Sequence, residues 1–103
     1  MSKLANQSGL PSRVIEKINR VFSTYPHIEQ AILFGSRAKG NFRAGSDIDL
    51  ALTGNMDTAE LIRLETQLDD LMLPYTIDLV LFNQIENPDL TAHIRRRGLI
   101  FYP

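Results

Sequence analysis

The chain of 103 residues contains no cysteine and no long apolar run. Without cysteine, a disulfide framework and thiolate-ligated zinc are excluded, and the composition fits a reducing compartment. The longest apolar runs, at 31–34 and 79–82, are far too short to cross a bilayer. The first residues also lack the apolar segment of a signal peptide. We therefore expect a cytoplasmic protein with no membrane partner.

The chain also lacks an excess of charge of either sign. The sequence contains 11 Lys and Arg residues and 12 Asp and Glu residues, which give a formal net charge of −1. Proteins that bind long nucleic acids usually carry a clear basic excess, so such a substrate is disfavoured. A single nucleotide is not disfavoured, because a few local cations and a metal ion can hold it.

No repeat or low-complexity tract divides the chain, and its length suits one domain. Residues 1–9 are polar and are predicted to be a flexible amino terminus, with a single domain over 10–103. Apolar residues at spacings of three and four predict helices from Pro11 to before Pro26, from Asp57 or Thr58 to Pro74, and from Pro88 to about Arg97. Short apolar or alternating segments predict strands at 30–34, 47–53, 76–82 and 99–102.

Helices and strands mixed over so few residues predict an α/β (α+β) fold, a small mixed β-sheet flanked by helices. We expect helices to cover mainly one face of the sheet. Alternation places Asp47, Asp49 and Ala51 on the other face, which is expected to be open to a ligand. A strand at 99–102 would lie at the sheet edge, where self-association into a homo-oligomer is possible.

Aspartate is depleted in strands, yet Asp47 and Asp49 lie two residues apart in the clearest strand of the sequence. Same-face residues lie about 6.5–7 Å apart along a strand, so both carboxylates can lean onto one ion. Asp78 can join them if its strand is a neighbour. Carboxylates about 5 Å apart repel by roughly 3 kcal/mol at an effective dielectric near 20. Bound divalent cations or raised pKa values would relieve this, and we favour cations.

Gly35 and Ser36 follow a predicted buried strand and precede a possible helical turn. Glycine lets the backbone approach a phosphate closely, while free N–H groups and the Ser36 hydroxyl offer donors. Arg37 could bind phosphate in a bidentate manner, and Lys39 could add a further cation. These features predict a triphosphate site that faces the metal site. The three arginines at 95–97 close a predicted helix, where cations complement its dipole.

The spacing of these residues resembles a known family signature. Gly35-Ser36, ten residues and then Asp47-Ile48-Asp49 is similar to the G-S-x10-D-x-D signature of the polymerase-β-like nucleotidyltransferases. The flanking segments 33–40 and 45–50 resemble the minimal nucleotidyltransferase branch of that superfamily, and the resemblance covers about residues 28 to 83. It implies the nucleotidyltransferase fold, with ATP as substrate and two magnesium ions.

The resemblance also implies roles for individual residues. Gly35 and Ser36 would bind the triphosphate, while Asp47 and Asp49 would ligate both magnesium ions. Asp78 would be the third catalytic carboxylate and would ligate the ion that activates the acceptor hydroxyl. The implied chemistry is in-line attack on the α-phosphorus with release of pyrophosphate.

Few residues follow Asp78, so we expect another copy or another protein to supply the acceptor. Members of the minimal branch commonly pair with a helical HEPN protein, often as the antitoxin of a toxin–antitoxin system. The resemblance thus implies transfer of AMP to a tyrosine of a HEPN toxin. Two alternatives remain open: a non-catalytic antitoxin that binds nucleotide and neutralises its partner by binding, and one subunit of a two-chain transferase that modifies a small molecule such as an antibiotic.

Overall fold

A computed structural model describes residues 3–103. Its elements, in chain order, are α1 (Lys3–Ser8), α2 (Ser12–Phe22), β1 (Ile28–Phe34), α3 (Ser36–Lys39), β2 (Ile48–Gly54), α4 (Thr58–Asp69), β3 (Ile77–Leu81), a 3-10 turn (Phe82–Gln84), α5 (Pro88–Arg97) and β4 (Leu99–Tyr102). No helix within residues 3–103 is long and apolar enough to cross a membrane.

The predicted mixed α/β fold is confirmed, with element ends that differ by a few residues. Residues 3–8 form α1, a helix that the sequence analysis did not predict, and the flexibility of the segment at 1–9 stays a prediction; residues 1 and 2 lie outside the described part of the chain. Leu4 and Ala5 pack against the core, and Ser8 at the end of α1 is fully buried. Two apolar residues in a polar segment are too weak a periodic signal to predict a helix.

Local sequence signals set the ends of the longer helices. Asp57 caps α4, because its carboxylate accepts the Glu60 N–H at 2.8 Å while the Glu60 carboxylate accepts the Asp57 N–H at 3.3 Å. This reciprocal arrangement satisfies two N–H groups that have no partner inside the helix. The Asn87 side-chain oxygen caps α5 by accepting the N–H groups of Asp89 and Leu90, and Pro88 occupies the first turn, where its missing N–H costs nothing.

The four strands form one sheet in the order β3-β2-β1-β4. Strand β1 pairs antiparallel with β2 and with β4, whereas β2 and β3 are parallel and are connected through α4. The register places Asp49 beside Phe34 of β1 on one side and beside Asp78 of β3 on the other. Strand β4 is an outer strand, as predicted; a homo-oligomer through it stays a prediction.

Alternation along the strands separates two apolar clusters. The larger lies between the sheet and helices α2 and α4 and includes Ile18, Phe22, Leu50, Leu64 and Phe101. The smaller lies on the opposite face, under α5 and the 3-10 turn, and consists of Ile32, Ala51, Phe82 and Ile94.

The expectation of an open second face therefore requires correction. Helix α5 and the 3-10 turn cover its middle, because Ile94 and Phe82 bury their apolar side chains there. Asp49 and Asp78 project from the same face as the smaller cluster but lie nearer the start of their strands. The carboxylates are thus left at one end of a partly covered face.

Phe101 joins the outer strand to the core. Its side chain is 1% exposed and packs edge-on against Phe22, with ring centroids 6.5 Å apart. We expect Phe101→Ala to lower the free energy of unfolding by about 3–5 kcal/mol, because it removes a large buried side chain and leaves a cavity. Urea denaturation measures this loss. Ile100→Ala is the control, since Ile100 precedes Phe101 in β4 and is 48% exposed. An equal loss of unfolding free energy in both variants would contradict the assigned packing.

Candidate active site

Two carboxylates lie side by side where β2 and β3 begin. The parallel register pairs Asp49 with Asp78, and their side chains are close enough to share a hydrogen bond. Asp47 precedes β2, is exposed, and acts on Asp49 through its charge. The structure thus brings together the three aspartates that the sequence analysis singled out, with Asp49 and Asp78 as the closest pair.

The pKa of the Asp49 carboxyl is raised above its ordinary value. Partial burial is the largest cause, because it disfavours the charged form. The negative charges of Asp78 and Asp47 raise the pKa further, and so does the hydrogen bond with Asp78. The site therefore concentrates negative charge that the protein itself does not neutralise.

No lysine, arginine or histidine within residues 3–103 forms an ion pair with these aspartates; the ion pair present there joins His27 to Glu60. An oxygen-only, anionic site without a protein counter-ion has the chemistry that magnesium prefers. No group of three acidic, histidine or cysteine side chains in the described range is already arranged to hold a metal ion, so the three-ligand site stays a prediction. The donor types fit magnesium, and their arrangement would have to close around it.

Gly35 lies directly against Asp49. It has a φ of 77°, and a Cβ at this position would clash with the Asp49 carboxylate oxygen. Only glycine tolerates both the left-handed backbone and this close approach. Ser36 begins α3, and Lys39 N–H donates to the Gly35 carbonyl at 3.1 Å. The predicted glycine-serine turn and the aspartates therefore adjoin each other.

The structure corrects the prediction that Arg37 contacts phosphate. Its side chain is 1% exposed, and the guanidinium donates to the backbone carbonyls of Ser8 at 2.9 Å, Ser46 at 3.1 Å and Ala44 at 3.1 Å. A longer bond of 3.5 Å reaches the Arg43 carbonyl. Since these acceptors engage all three guanidinium nitrogens, the group holds the loop that ends at Asp47 and is not available to a phosphate.

Two aromatic residues that the sequence analysis missed complete the environment of Arg37. The guanidinium carbon lies 5.2 Å from the ring centroid of Phe42 and 5.1 Å from that of Tyr75. Such contacts stabilise a desolvated cation. Tyr75 precedes β3, so the Arg37 side chain contacts both the loop before Asp47 and the segment before Asp78. No local pattern could reveal this, because Tyr75 is far from Arg37 in sequence.

Comparison with known proteins agrees with this architecture. The family model described as "Polymerase beta, Nucleotidyltransferase" matches residues 16–103. A protein of Methanocaldococcus jannaschii named "putative protein adenylyltransferase" is 32% identical over 95 residues, which cover 84% of this chain and 92% of that relative.

Solved structures share the fold. The toxin–antitoxin pair MntA–HepT matches with a TM-score of 0.64 at 20% identity, over 88% of this chain and 71% of the matched chain. A toxin–antitoxin complex with AMP-PNP matches with a TM-score of 0.66 at 24% identity, over 89% of this chain and 73% of the matched chain.

Asp49→Asn should stabilise the metal-free protein. A raised pKa means that folded Asp49 binds its proton more tightly than the unfolded chain does, so this group's contribution to stability falls as pH rises through the raised value. We expect the variant to gain about 0.5–1 kcal/mol at neutral pH and little at acidic pH, after allowance for solvent screening. Thermal denaturation in EDTA at several pH values measures the difference in stability between Asp49→Asn and the unaltered chain. Asp69→Asn, an exposed change on α4, should show no such dependence, and a pH-independent difference at Asp49 would contradict the assignment.

Arg37→Ala should destabilise the fold by roughly 2–4 kcal/mol, because buried carbonyls lose their donor. Arg37→Lys should recover only part of the loss, since an ammonium cannot reproduce the planar fork. Urea denaturation and amide hydrogen exchange of residues 40–47 provide the measurements. Arg43→Ala changes an exposed arginine in the same loop and is the control. Unchanged exchange in that loop would show that Arg37 does not hold it.

Proposed function

The chain belongs to the polymerase-beta nucleotidyltransferase family, and from that premise we propose that it transfers AMP from ATP to a hydroxyl group of a partner protein. The observation that carries the proposal is the pairing of Asp49 with Asp78 beside the Gly35-Ser36 turn. Negative charge without a protein counter-ion therefore lies directly against the glycine-serine turn.

In this proposal, Gly35 and Ser36 bind the triphosphate. The missing side chain at Gly35 lets the Asp49 carboxylate lie against this turn, so a phosphate bound at the turn adjoins the carboxylates. The Ser36 hydroxyl, which has no hydrogen-bond partner among residues 3–103, is free to donate to a phosphate oxygen. Phosphate recognition at this turn thus relies on hydrogen bonds rather than on the buried charge of Arg37.

Asp47, Asp49 and Asp78 would hold magnesium through their carboxylate oxygens. When bound, magnesium supplies charge stabilisation at the phosphoryl oxygens and eases ionisation of the attacking hydroxyl. Of the three carboxylates, Asp78 lies on the outer strand β3 and is exposed, so an acceptor can reach it from solvent. We assign Asp78 to the acceptor side of the site.

The transfer step balances without an oxidant or a second substrate beyond ATP and the acceptor. The acceptor oxygen forms a bond to the α-phosphorus while the bond from that phosphorus to the bridging oxygen breaks. Pyrophosphate leaves with the bonding electron pair, and the hydroxyl proton passes to the Asp78 carboxylate and then to solvent. The protein contributes mainly by orienting these groups.

The names of the similar proteins support a protein acceptor. The archaeal relative is named for adenylyl transfer to protein, and the structural neighbours include MntA–HepT and a toxin–antitoxin complex with AMP-PNP. We infer a helical HEPN-type toxin as the partner and one of its tyrosines as the acceptor. Modification would silence the toxin, which makes this chain an antitoxin.

The test is AMP transfer to the cognate partner. With ATP and magnesium, intact-mass spectrometry should show the partner gaining one or more AMP units, and EDTA should abolish the gain. Asp47→Asn/Asp49→Asn should slow transfer by roughly 10³-fold, since charge stabilisation at the phosphorus is lost. Asp69→Asn/Asp70→Asn makes the same chemical change on exposed residues near the end of α4 and should leave the rate unchanged.

The same variants separate catalysis from neutralisation by binding alone. If AMP transfer silences the partner, the Asp47→Asn/Asp49→Asn chain should bind the partner yet fail to neutralise it. Full neutralisation by this variant, or no mass gain by the unaltered chain with its verified partner, would count against the proposal.

A further inference from the structure

A groove of about 320 Å³ lies between helices α2 and α4, the helices that cover the larger apolar cluster. Its lining is mostly apolar with two cationic side chains, and consists of Lys17, Arg20, Val21, Thr24, Gln67 and Leu71. The Tyr25 hydroxyl donates to the Gln67 side chain at 2.7 Å, so this part of the lining is held in place. We call it the α2–α4 groove.

Met72 stands beside the α2–α4 groove with its side chain in solvent. It follows Leu71 directly, yet it is 86% exposed and does not line the groove, so the chain does not fill its own groove with this side chain. Its φ of 55° lies in the left-handed region, which glycine or asparagine usually occupies where a helix ends. A residue with a Cβ is strained in this conformation. Packing of the Met72 side chain against the core does not offset that strain, because the side chain is exposed.

Charges of both signs flank the α2–α4 groove and are unpaired within residues 3–103. Lys17 and Arg20 are exposed on the α2 side, Asp70 is exposed where α4 ends, and none of them forms an ion pair there. A matching occupant of the groove therefore combines an apolar side chain with a carboxylate. The chain itself carries this combination, because Met72 follows Asp70 by two residues.

We propose that two copies of this chain associate through this surface, with Met72 of each copy inserted into the α2–α4 groove of the other. Leu71 lines the groove and Met72 is the next residue, so the projecting side chain and the groove lie next to each other. A two-fold axis between them presents each Met72 to the other copy's groove and each Asp70 to the other copy's Arg20. Methionine suits this contact, because its unbranched, polarisable side chain adapts to an irregular apolar surface.

A second copy is favoured over a segment of an acceptor protein because of where the groove lies. Helices α2 and α4 cover one face of the sheet, whereas Asp49 and Asp78 project from the opposite face. A segment held in the groove would be separated from the carboxylates by the whole sheet. Association through the groove leaves both candidate active sites open, so the inference goes beyond the proposed function and does not rest on it.

The first test measures association of the chain with itself. Sedimentation equilibrium of the purified chain should show a reversible equilibrium between monomer and dimer that weakens as salt screens the charge pairs. Met72→Gly should raise the dissociation constant about tenfold or more, because two apolar side chains in each dimer lose their burial. Ile62→Ala and Ile100→Ala remove the other exposed large apolar side chains within residues 3–103 and should leave the dissociation constant unchanged.

Met72→Gly also separates association from folding. Glycine adopts the left-handed backbone without strain, so the monomeric variant should unfold at the same temperature as the unaltered monomer or at a higher one. Thermal denaturation at concentrations below the dissociation constant measures this. A clear loss of stability in the monomeric variant would assign Met72 to the fold and overturn the proposal.

A charge exchange tests the orientation of the two copies. Arg20→Glu alone, or Asp70→Arg alone, places two like-charge pairs across the two-fold axis, and each should weaken association roughly tenfold. An equimolar mixture of these two variants has opposite charges at both pairs and should form a mixed dimer about as tight as the unaltered one. Glu65→Arg reverses an exposed charge elsewhere on α4 and is the control. It should associate as the unaltered chain does.

Four outcomes would overturn the proposal. The first is a chain that stays monomeric up to about 1 mM, a concentration that corresponds to very weak binding. The second is a dimer that Ile100→Ala weakens and Met72→Gly does not, which would move the contact to β4. The third is a mixture of the charge variants that forms no mixed dimer. The fourth is loss of partner binding in Met72→Gly while the unaltered chain is monomeric, which would assign the groove to the partner protein.

This proposal and the proposed function can fail separately. Transfer of AMP should be the same in Met72→Gly as in the unaltered chain, since the carboxylates lie on the other face of the sheet. A dimer that depends on Met72 in a chain without transfer activity would keep the contact and sink the function. A monomeric chain that transfers AMP would do the reverse.

Discussion

The parallel pairing of β2 with β3 holds two carboxylates beside each other, and the candidate site depends on this pairing. Isolated aspartates would separate, but the main-chain ladder and the core under the opposite face fix the register. Ile48, Leu50 and Leu52 are buried in that core, so a slip of one residue would drive Asp49 into apolar surroundings. The folding energy of the sheet thus offsets a local repulsion that would otherwise destabilise the site.

Arg37 shows how a charge near a site can serve structure rather than ligand binding. The loop from Gly40 to Ser46 has several backbone carbonyls that turn inward, and a buried guanidinium satisfies them. Without a donor these carbonyls would destabilise the loop, and the rings of Phe42 and Tyr75 stabilise the buried cation that supplies the donors. The approach to Asp47 is therefore built around a residue that does not face the ligand.

Helix α5 combines a packing role with an electrostatic one. Ile94 covers the smaller cluster on the aspartate face and narrows the open part of the sheet to the end where Asp49 and Asp78 lie. The end of the same helix presents Arg96 and Arg97 beyond the glycine-serine turn. A chain with a net charge of −1 therefore carries separated regions of opposite sign on its surface.

The sequence by itself determined the strands, the three longer helices and the neighbourhood of Gly35, Asp47 and Asp49, because periodicity, caps and turn residues act over a few positions. From the sequence, Asp78 could be placed beside Asp49 only if their two strands were neighbours, and strand order is a long-range property. Only the tertiary structure decided that Arg37 is buried and that α5 covers part of the aspartate face. Each of these depends on which distant segment packs beside a side chain, and local spacing carries no information about that.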